Sequence, residues 1–262
     1  MKCYIVAVAA ILVSVGGLRA QVISINIWAS DSATLNQMAP TDVAGAPGVA
    51  VDNWNDLAVA NNGDGNAGGL MSNLLDDSGA TTTLDITAGK IAGYNTYSTI
   101  FAGYGWSGSD LTMHTGGLNY DSQYTISDVP YSQYDVYVYL GAGNNGGNAG
   151  AEINLGGNGV DTTQYQFLGY SWAGNNTYTQ ITSTDPANPG GGNYVLFSGN
   201  TASSFTLSYD ANPNDAIYDG GVTGIQIVST VPEPATPSLA SLSLASLAFA
   251  GFHSRRKLRA RS

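Results

Sequence analysis

Apolar and polar residues alternate along much of this chain, which is the pattern of β-strands buried on one face. In residues 22–28, isoleucines occupy every second position, and valine, serine and asparagine lie opposite them. In residues 134–140, valines alternate with tyrosines. Both segments predict half-buried strands. Further short strands, mostly separated by Gly, Asn or Pro, are predicted at residues 81–87, 91–101, 124–129, 151–155, 164–170, 178–182, 194–198, 204–209 and 222–228.

The stretch between residue 30 and about residue 79 has a weaker pattern. Residues 51–57 predict one helical turn, and residues 61–69 predict a loop. No segment of residues 21–230 shows a sustained helical period, so the strands must bury one another. We predict an all-β fold, a single β-sandwich, over these residues. A parallel β-helix is the alternative, but no fixed repeat period supports it.

The N-terminal segment has the pattern of a secretory signal peptide. Lys2 precedes an apolar run over residues 4–18, and Ala20 offers a small residue at the predicted cleavage site. We therefore predict a signal peptide over residues 1–20. An uncleaved N-terminal anchor is the alternative, and either reading places the following residues outside the cytoplasm.

The C-terminal segment has the pattern of a membrane anchor. Residues 235–252 carry no charge, and as a helix they would span roughly 27 Å, close to the hydrocarbon thickness of a bilayer. Basic residues follow them and favour a cytoplasmic C-terminus. These are Arg255, Arg256, Lys257, Arg259 and Arg261.

The residues just before this apolar segment are Val231, Pro232, Glu233 and Pro234. Pro-Glu-Pro, an apolar segment and a basic end, in that order, resemble the PEP-CTERM sorting signal. The resemblance implies that residues 231–262 direct the exported protein to exosortase, a membrane transpeptidase, which cuts near Pro-Glu-Pro. An ordinary C-terminal anchor that is never cut is the alternative.

Composition limits the partners of residues 21–230. This region has one basic residue, Lys90, and 18 acidic ones, a formal charge of −17. Nucleic acids need basic contacts, so they are excluded as partners. Cysteine is absent from the region, which excludes disulfides and thiol chemistry.

Several short segments of this region resemble an exported jelly-roll-like domain that often precedes this sorting signal. They include residues 75–80, 134–140, 193–198 and 224–228. The resemblance implies a structural or adhesive protein of the cell surface, outer envelope or extracellular matrix. Most members of that kind have no assigned activity, and the link with exopolysaccharide is an analogy.

The sequence offers little support for catalysis, and we predict that the protein is not an enzyme. His114 is the one histidine of residues 21–230. In its predicted strand it is expected to be a surface or packed residue rather than a catalytic base or metal ligand. A glycan-active hydrolase needs only two carboxylates, and it stays the least favoured alternative.

A structural Ca²⁺ is the cofactor that the acidic composition allows. Asp210, Asp215 and Asp219 precede the last predicted strand, and oxygen-rich sequences also occur at residues 62–66 and 156–161. Solvated turns are the alternative for all of them, since aspartate favours turn geometry.

Aromatic residues suggest a second function, that of a carbohydrate-binding module acting on exopolysaccharide. The candidates for stacking on sugar rings are Tyr104, Trp106, Tyr170 and Trp172, with Tyr178 nearby in sequence. Packing within the sheets is the alternative for each, because tyrosine forms good cross-strand pairs.

Overall fold

The computed structural model describes residues 20–29, 36–59, 67–91, 102–103, 105–116, 121–142, 149–157, 160–168, 176–211 and 220–231. All of them belong to one compact unit, Ala20–Val231. Twelve strands and one short helix, α1 (Gly108–Thr115), lie within these residues. The strands are β1 (Val22–Ala29), β2 (Asn55–Val59), β3 (Ala67–Met71), β4 (Asp85–Ile91), β5 (Ser122–Ser127), β6 (Tyr134–Ala142), β7 (Ala149–Gly157), β8 (Val160–Leu168), β9 (Gln180–Ile181), β10 (Tyr194–Asn200), β11 (Phe205–Ala211) and β12 (Gly220–Ser229).

The strands form two six-stranded sheets. The first has the order β2-β1-β12-β6-β10-β9, and the second has the order β3-β4-β5-β11-β7-β8. Most neighbours are antiparallel; β1–β2 and β9–β10 are parallel pairs. One hydrophobic core takes side chains from both sheets, as expected for two packed sheets. The predicted all-β sandwich is confirmed.

The second sheet is buried on one face only. On β5, Tyr124 and Ile126 are fully buried, whereas Gln123 and Thr125 between them are exposed. Strands β4, β7 and β11 show the same alternation. Each apolar face points into the core, which is why alternation in the sequence located these strands well.

The first sheet is buried on both faces near its centre. The polar side chains of Ser24, Asn26 and Gln226 are at most 1% exposed. Residues 36–54 and α1, here called the covering layer, pack on this outer face. The strand predicted at residues 22–28 is confirmed as β1, but the expectation that it is only half-buried is wrong, because its polar face lies under the covering layer.

Asn26 shows how the covering layer is attached. Its amide donates to the Asn36 carbonyl at 2.6 Å and to Asp56 Oδ1 at 2.8 Å. The Met38 N–H donates to the same Asp56 oxygen at 3.0 Å. Burial raises the pKa of Asp56, although these two hydrogen bonds oppose the shift. A buried polar face is thus compatible with folding because polar atoms of the covering layer bond to it.

Two other expectations fail in the N-terminal half of the chain, and one helix there was not predicted. Residues 51–57 form no helical turn but lead into β2, which pairs in parallel with β1. Residues 67–69 belong to strand β3 rather than to a loop. Helix α1 was not predicted, since its eight residues, GSDLTMHT, contain few apolar side chains to mark a helical period.

A β-bulge in β12 sets the direction of its side chains. The pairing with β6 shifts between Val222 and Gly224, as happens when one extra residue is inserted. After the bulge, Ile225 and Ile227 enter the core while Gln226 faces the covering layer. A Cβ on Gly224 would meet Met113 Sδ at 3.0 Å, so glycine lets α1 approach the sheet closely.

Candidate functional site

An aromatic cluster lies over the outer face of the first sheet. Its rings belong to β6, β10, the segment before β9, the covering layer and the residues just before α1. Neighbouring ring centroids lie 4.7–6.3 Å apart. The members are Trp54, Trp106, His114, Tyr137, Tyr139, Tyr178 and Tyr194.

Tyr139 is the buried centre of this aromatic cluster. Its hydroxyl donates to Gln226 Oε1 at 2.5 Å and accepts from the Ala46 N–H at 2.8 Å. Gln226 Nε2 donates onward to Ser24 Oγ and to the Val49 carbonyl. Burial raises the pKa of Tyr139 well above its ordinary value. The hydroxyl therefore stays protonated and joins β1, β6 and β12 to the covering layer.

His114 lies on α1 and is fully buried, so the prediction that it lies in a strand is wrong, while the predicted packing role agrees with its burial. Its ring packs edge-to-face against the Trp106 ring, with the two ring centroids 4.7 Å apart. Burial lowers its pKa to about 3, and a hydrogen bond with the Leu140 backbone opposes the shift. At neutral pH the ring is an uncharged packing element, out of reach of bulk solvent.

Asp110 connects three segments around the aromatic cluster. Its Oδ1 accepts from the Gly45 N–H at 3.1 Å and from the Tyr178 hydroxyl at 2.5 Å. The neighbouring Ser109 hydroxyl donates to Asp42 Oδ1. Burial and the Asp110 charge together raise the pKa of Tyr178. This carboxylate acts as a hydrogen-bond acceptor that holds α1 in place.

Tyr137 and Tyr194 form the accessible side of the aromatic cluster. Both are half-buried, and their rings are nearly parallel, 20° apart in plane with centroids 6.1 Å apart. Burial raises the pKa of both phenols, and the nearby Asp135 charge adds to the shift at Tyr137. The alternation of residues 134–140 had placed Tyr137 opposite the core, but nothing in the sequence paired it with Tyr194.

The stacking residues predicted from the sequence have different outcomes. Trp106 is 3% exposed and packs against His114 and Tyr178, so the packing alternative describes it in this structure. Tyr178 is half-buried beside it. Tyr104, Tyr170 and Trp172 lie outside the described residues, and for them stacking stays a prediction.

The predicted calcium ligands are not brought together within the described residues. Asp210 is exposed near the end of β11, opposite Glu152 of β7. Asp215 and Asp219 lie outside the described residues. The oxygen-rich sequence at residues 156–161 lies at the β7–β8 hairpin, where Gly156 pairs with Asp161. No group of three or more His, Cys, Asp or Glu side chains that could hold a metal ion occurs in the described part of the chain.

The two ends of the described chain meet at one end of the first sheet, where β1 begins and the neighbouring antiparallel strand β12 ends. The Ser229 N–H donates to the Gln21 carbonyl at 2.9 Å, and the Thr230 N–H donates to the Gln133 carbonyl at 3.0 Å. Ala20, the predicted cleavage residue, is half-buried there, and Val231 is 47% exposed. Residues 1–19 and 232–262, with the predicted signal peptide, Pro-Glu-Pro, anchor and basic end, lie outside the described residues.

Comparison with known families identifies this end of the chain. Residues 230–257 match the model of the PEP-CTERM protein-sorting motif. The chain carries a PEP-CTERM sorting motif. The match confirms the resemblance noted in the sequence, and it covers about a tenth of the chain. No curated protein and no solved structure gives a significant match.

The PEP-CTERM motif implies export, membrane anchoring and then processing by exosortase. Its first matched residue, Thr230, follows β12 directly and is hydrogen-bonded to the domain. Among the residues that the structure describes, no helix is long and apolar enough to cross a membrane.

Proposed function

We propose that this protein is an exported, non-catalytic β-sandwich with a structural or adhesive role at the cell surface, outer envelope or extracellular matrix. Signal peptidase removes residues 1–20, and residues 235–252 hold the precursor in the membrane with the basic end in the cytoplasm. Exosortase then cuts near Pro232–Pro234. The PEP-CTERM match at residues 230–257 carries this proposal.

The described domain supports a passive role. Its one described histidine is buried and uncharged at neutral pH, which leaves it unsuited to acid–base catalysis. The carboxylates of Asp56 and Asp110 serve as hydrogen-bond acceptors within the fold. The jelly-roll-like assignment draws support from two mostly antiparallel sheets, although the parallel pairs β1–β2 and β9–β10 depart from a purely antiparallel jelly roll.

Intact mass of the protein from its native host tests the sorting part of this proposal. We expect a mass that begins at Gln21 and ends near Val231. A strain lacking the exosortase should retain the whole C-terminal segment. If the mass from the wild-type strain still includes Ser262, the motif is not cut and the protein stays a membrane-anchored sandwich.

Glycan binding is a second candidate function, favoured by the half-buried, nearly parallel rings of Tyr137 and Tyr194. Sugar rings stack on such faces, and the Asp135 carboxylate nearby can accept hydrogen bonds from hydroxyl groups. The formal charge of −17 over residues 21–230 disfavours anionic polysaccharides. We therefore propose a neutral or amino-sugar-containing glycan as the ligand.

Affinity electrophoresis with dextran, chitosan and alginate tests this second function. We expect retardation by dextran that is lost in Tyr137→Ala and Tyr194→Ala and kept in Tyr137→Phe, which retains the ring; retardation by the polycation chitosan that persists in both alanine variants reflects charge alone. Gln123→Ala on the second sheet is the matched surface control. Wild-type mobility in the dextran gel equal to that in a gel without polysaccharide would reject binding to a neutral glycan while leaving the sorting proposal intact.

A further inference from the structure

The sorting motif begins while the chain is still part of the sandwich. Ser229 ends β12 and donates its N–H to the Gln21 carbonyl, and its hydroxyl donates to the Val231 carbonyl at 2.7 Å. Thr230, the first matched residue, donates its N–H to the Gln133 carbonyl. No linker separates the domain from the motif.

The covalent chain keeps Pro-Glu-Pro within a few residues of the end of β12. Only Pro232 lies between Val231 and Glu233, so the two residues are at most about 7 Å apart along the chain. Pro232 has no N–H to extend the pairing, and it favours an extended conformation at Val231. An enzyme that binds the chain leading into Pro-Glu-Pro, including residues 229–231, in an extended form must first break the hydrogen bonds that hold the end of β12.

The neighbouring strand is held by a separate set of contacts. The Val22 N–H donates to Asp77 Oδ1 at 3.0 Å, and the Asp77 N–H donates back to the Val22 carbonyl at 2.8 Å. Gln21 Nε2 donates to Asp76 Oδ2. Asp76 is itself fixed, because its Oδ1 accepts hydrogen bonds from the backbone N–H groups of Ser78 and Ala80. Residues 229–231 can therefore separate from the sheet while β1 stays in place.

We propose that the end of β12 limits access to the sorting motif, and that exosortase processes the precursor only after residues 229–231 have peeled away from Gln21 and Gln133. The folded domain then sets the rate of its own sorting. This inference rests on the proposed processing by exosortase and adds a conformational step before it.

Insertion of a flexible segment tests this step directly. Gly-Gly-Ser-Gly-Gly-Ser placed between Val231 and Pro232 of the full-length precursor adds up to about 20 Å of reach. In pulse-chase labelling in the native host, we expect cleavage several-fold faster than in the wild type. The same insert in the exposed turn after Pro186 is the control and should leave the rate unchanged. A rate that is unchanged or slower with the insert before Pro232 overturns the inference.

A substitution without added length gives a second readout. Thr230→Pro removes the N–H that bonds to Gln133, whereas Thr230→Val keeps it, and both lie at an exposed position. We expect faster cleavage in Thr230→Pro only. Equal rates in the two variants would contradict the peeling step. If the wild-type precursor is never cut, the proposed processing fails and this inference fails with it.

Discussion

The two sheets of the sandwich differ in what lies on their outer faces. On the second sheet, Gln123 and Thr125 of β5 point outward and are exposed. On the first sheet, Gln226 also points away from the core, yet it is 0% exposed. Its side chain forms hydrogen bonds with Tyr139, Ser24 and Val49. The first sheet therefore depends on polar contacts that the second sheet does not need.

This difference separates two ways of making a sheet stable. The second sheet gains from apolar burial on one face and leaves its polar side chains to water. The first sheet buries polar atoms on its other face, and each of them becomes costly if its partner is removed. Aromatic rings fill the space between those bonds, so the aromatic cluster and the covering layer are expected to lose order together.

Replacing the same residue type on each sheet should give the largest contrast. Gln226→Ala leaves the Tyr139 hydroxyl, the Ser24 hydroxyl and the Val49 carbonyl without this partner and opens a cavity. We expect the free energy of unfolding to fall by about 3 kcal/mol. Gln123→Ala should change it by less than about 0.5 kcal/mol. Urea unfolding measures both, and similar losses would show that the two faces are equivalent.

Acid should weaken the covering layer before it weakens the second sheet. His114 has a pKa of about 3 in the folded protein, against about 6.5 when unfolded. The unfolded state therefore binds the extra proton between these values, and stability falls as pH drops from 6.5 toward 3. At pH 4.5 the loss from this residue is about 2 to 3 kcal/mol. Asp56, whose pKa is raised, acts in the opposite direction and offsets part of it.

Fluorescence of a variant that keeps Trp106 as its one tryptophan reports this acid transition, since the Trp106 ring contacts His114. Hydrogen exchange on β4 and β5 reports the second sheet. His114→Gln serves as the control, because a neutral side chain removes this proton uptake. We expect the variant to be less stable at pH 7 but to lose less stability on acidification. An equal pH dependence in the two proteins would assign the acid sensitivity to other groups.

A glycine-to-alanine pair gives a smaller contrast. A Cβ on Gly224 would lie 3.0 Å from Met113 Sδ and 3.3 Å from Trp54 Cζ3, under the covering layer. A Cβ on Gly89 of β4 would meet nothing within 4 Å. We expect Gly224→Ala to destabilise by about 1 to 2 kcal/mol and Gly89→Ala to be neutral or stabilising by up to about 1 kcal/mol. Thermal unfolding would contradict this if both variants shifted Tm equally.

The sequence predicted strands in both sheets, but alternation predicted the burial of the outer face correctly only in the second sheet. The strands predicted at residues 124–129, 151–155, 164–170 and 204–209 correspond to β5, β7, β8 and β11. They need only alternation, which is a local signal. β3 escaped prediction because Gly68 and Gly69 look like loop residues.

Around the first sheet, the sequence predicted the strands but not what covers them. Nothing local shows that Asn26 and Gln226 bond to a weakly patterned segment that lies far from Gln226 in the sequence. In the candidate site too, contiguous features were predictable from the sequence and contacts between distant residues were not. The PEP-CTERM motif was predictable because its three parts are contiguous, whereas the pairing of Tyr137 with Tyr194 depends on strand register between β6 and β10.

The smallest effect should come from the contact between the covering layer and the segment before β9, where Asp110 and Tyr178 are only partly buried. Their hydrogen bond should contribute about 1 kcal/mol of coupling in a double-mutant cycle of Tyr178→Phe and Asp110→Ala. The matched cycle pairs Tyr194→Phe with Asp110→Ala, because the Tyr194 ring packs against Tyr178, and its coupling should be near zero. Comparable coupling in both cycles would mean that Asp110 acts through the whole aromatic cluster. The contrast between the sheets would then lie in ring packing rather than in individual hydrogen bonds.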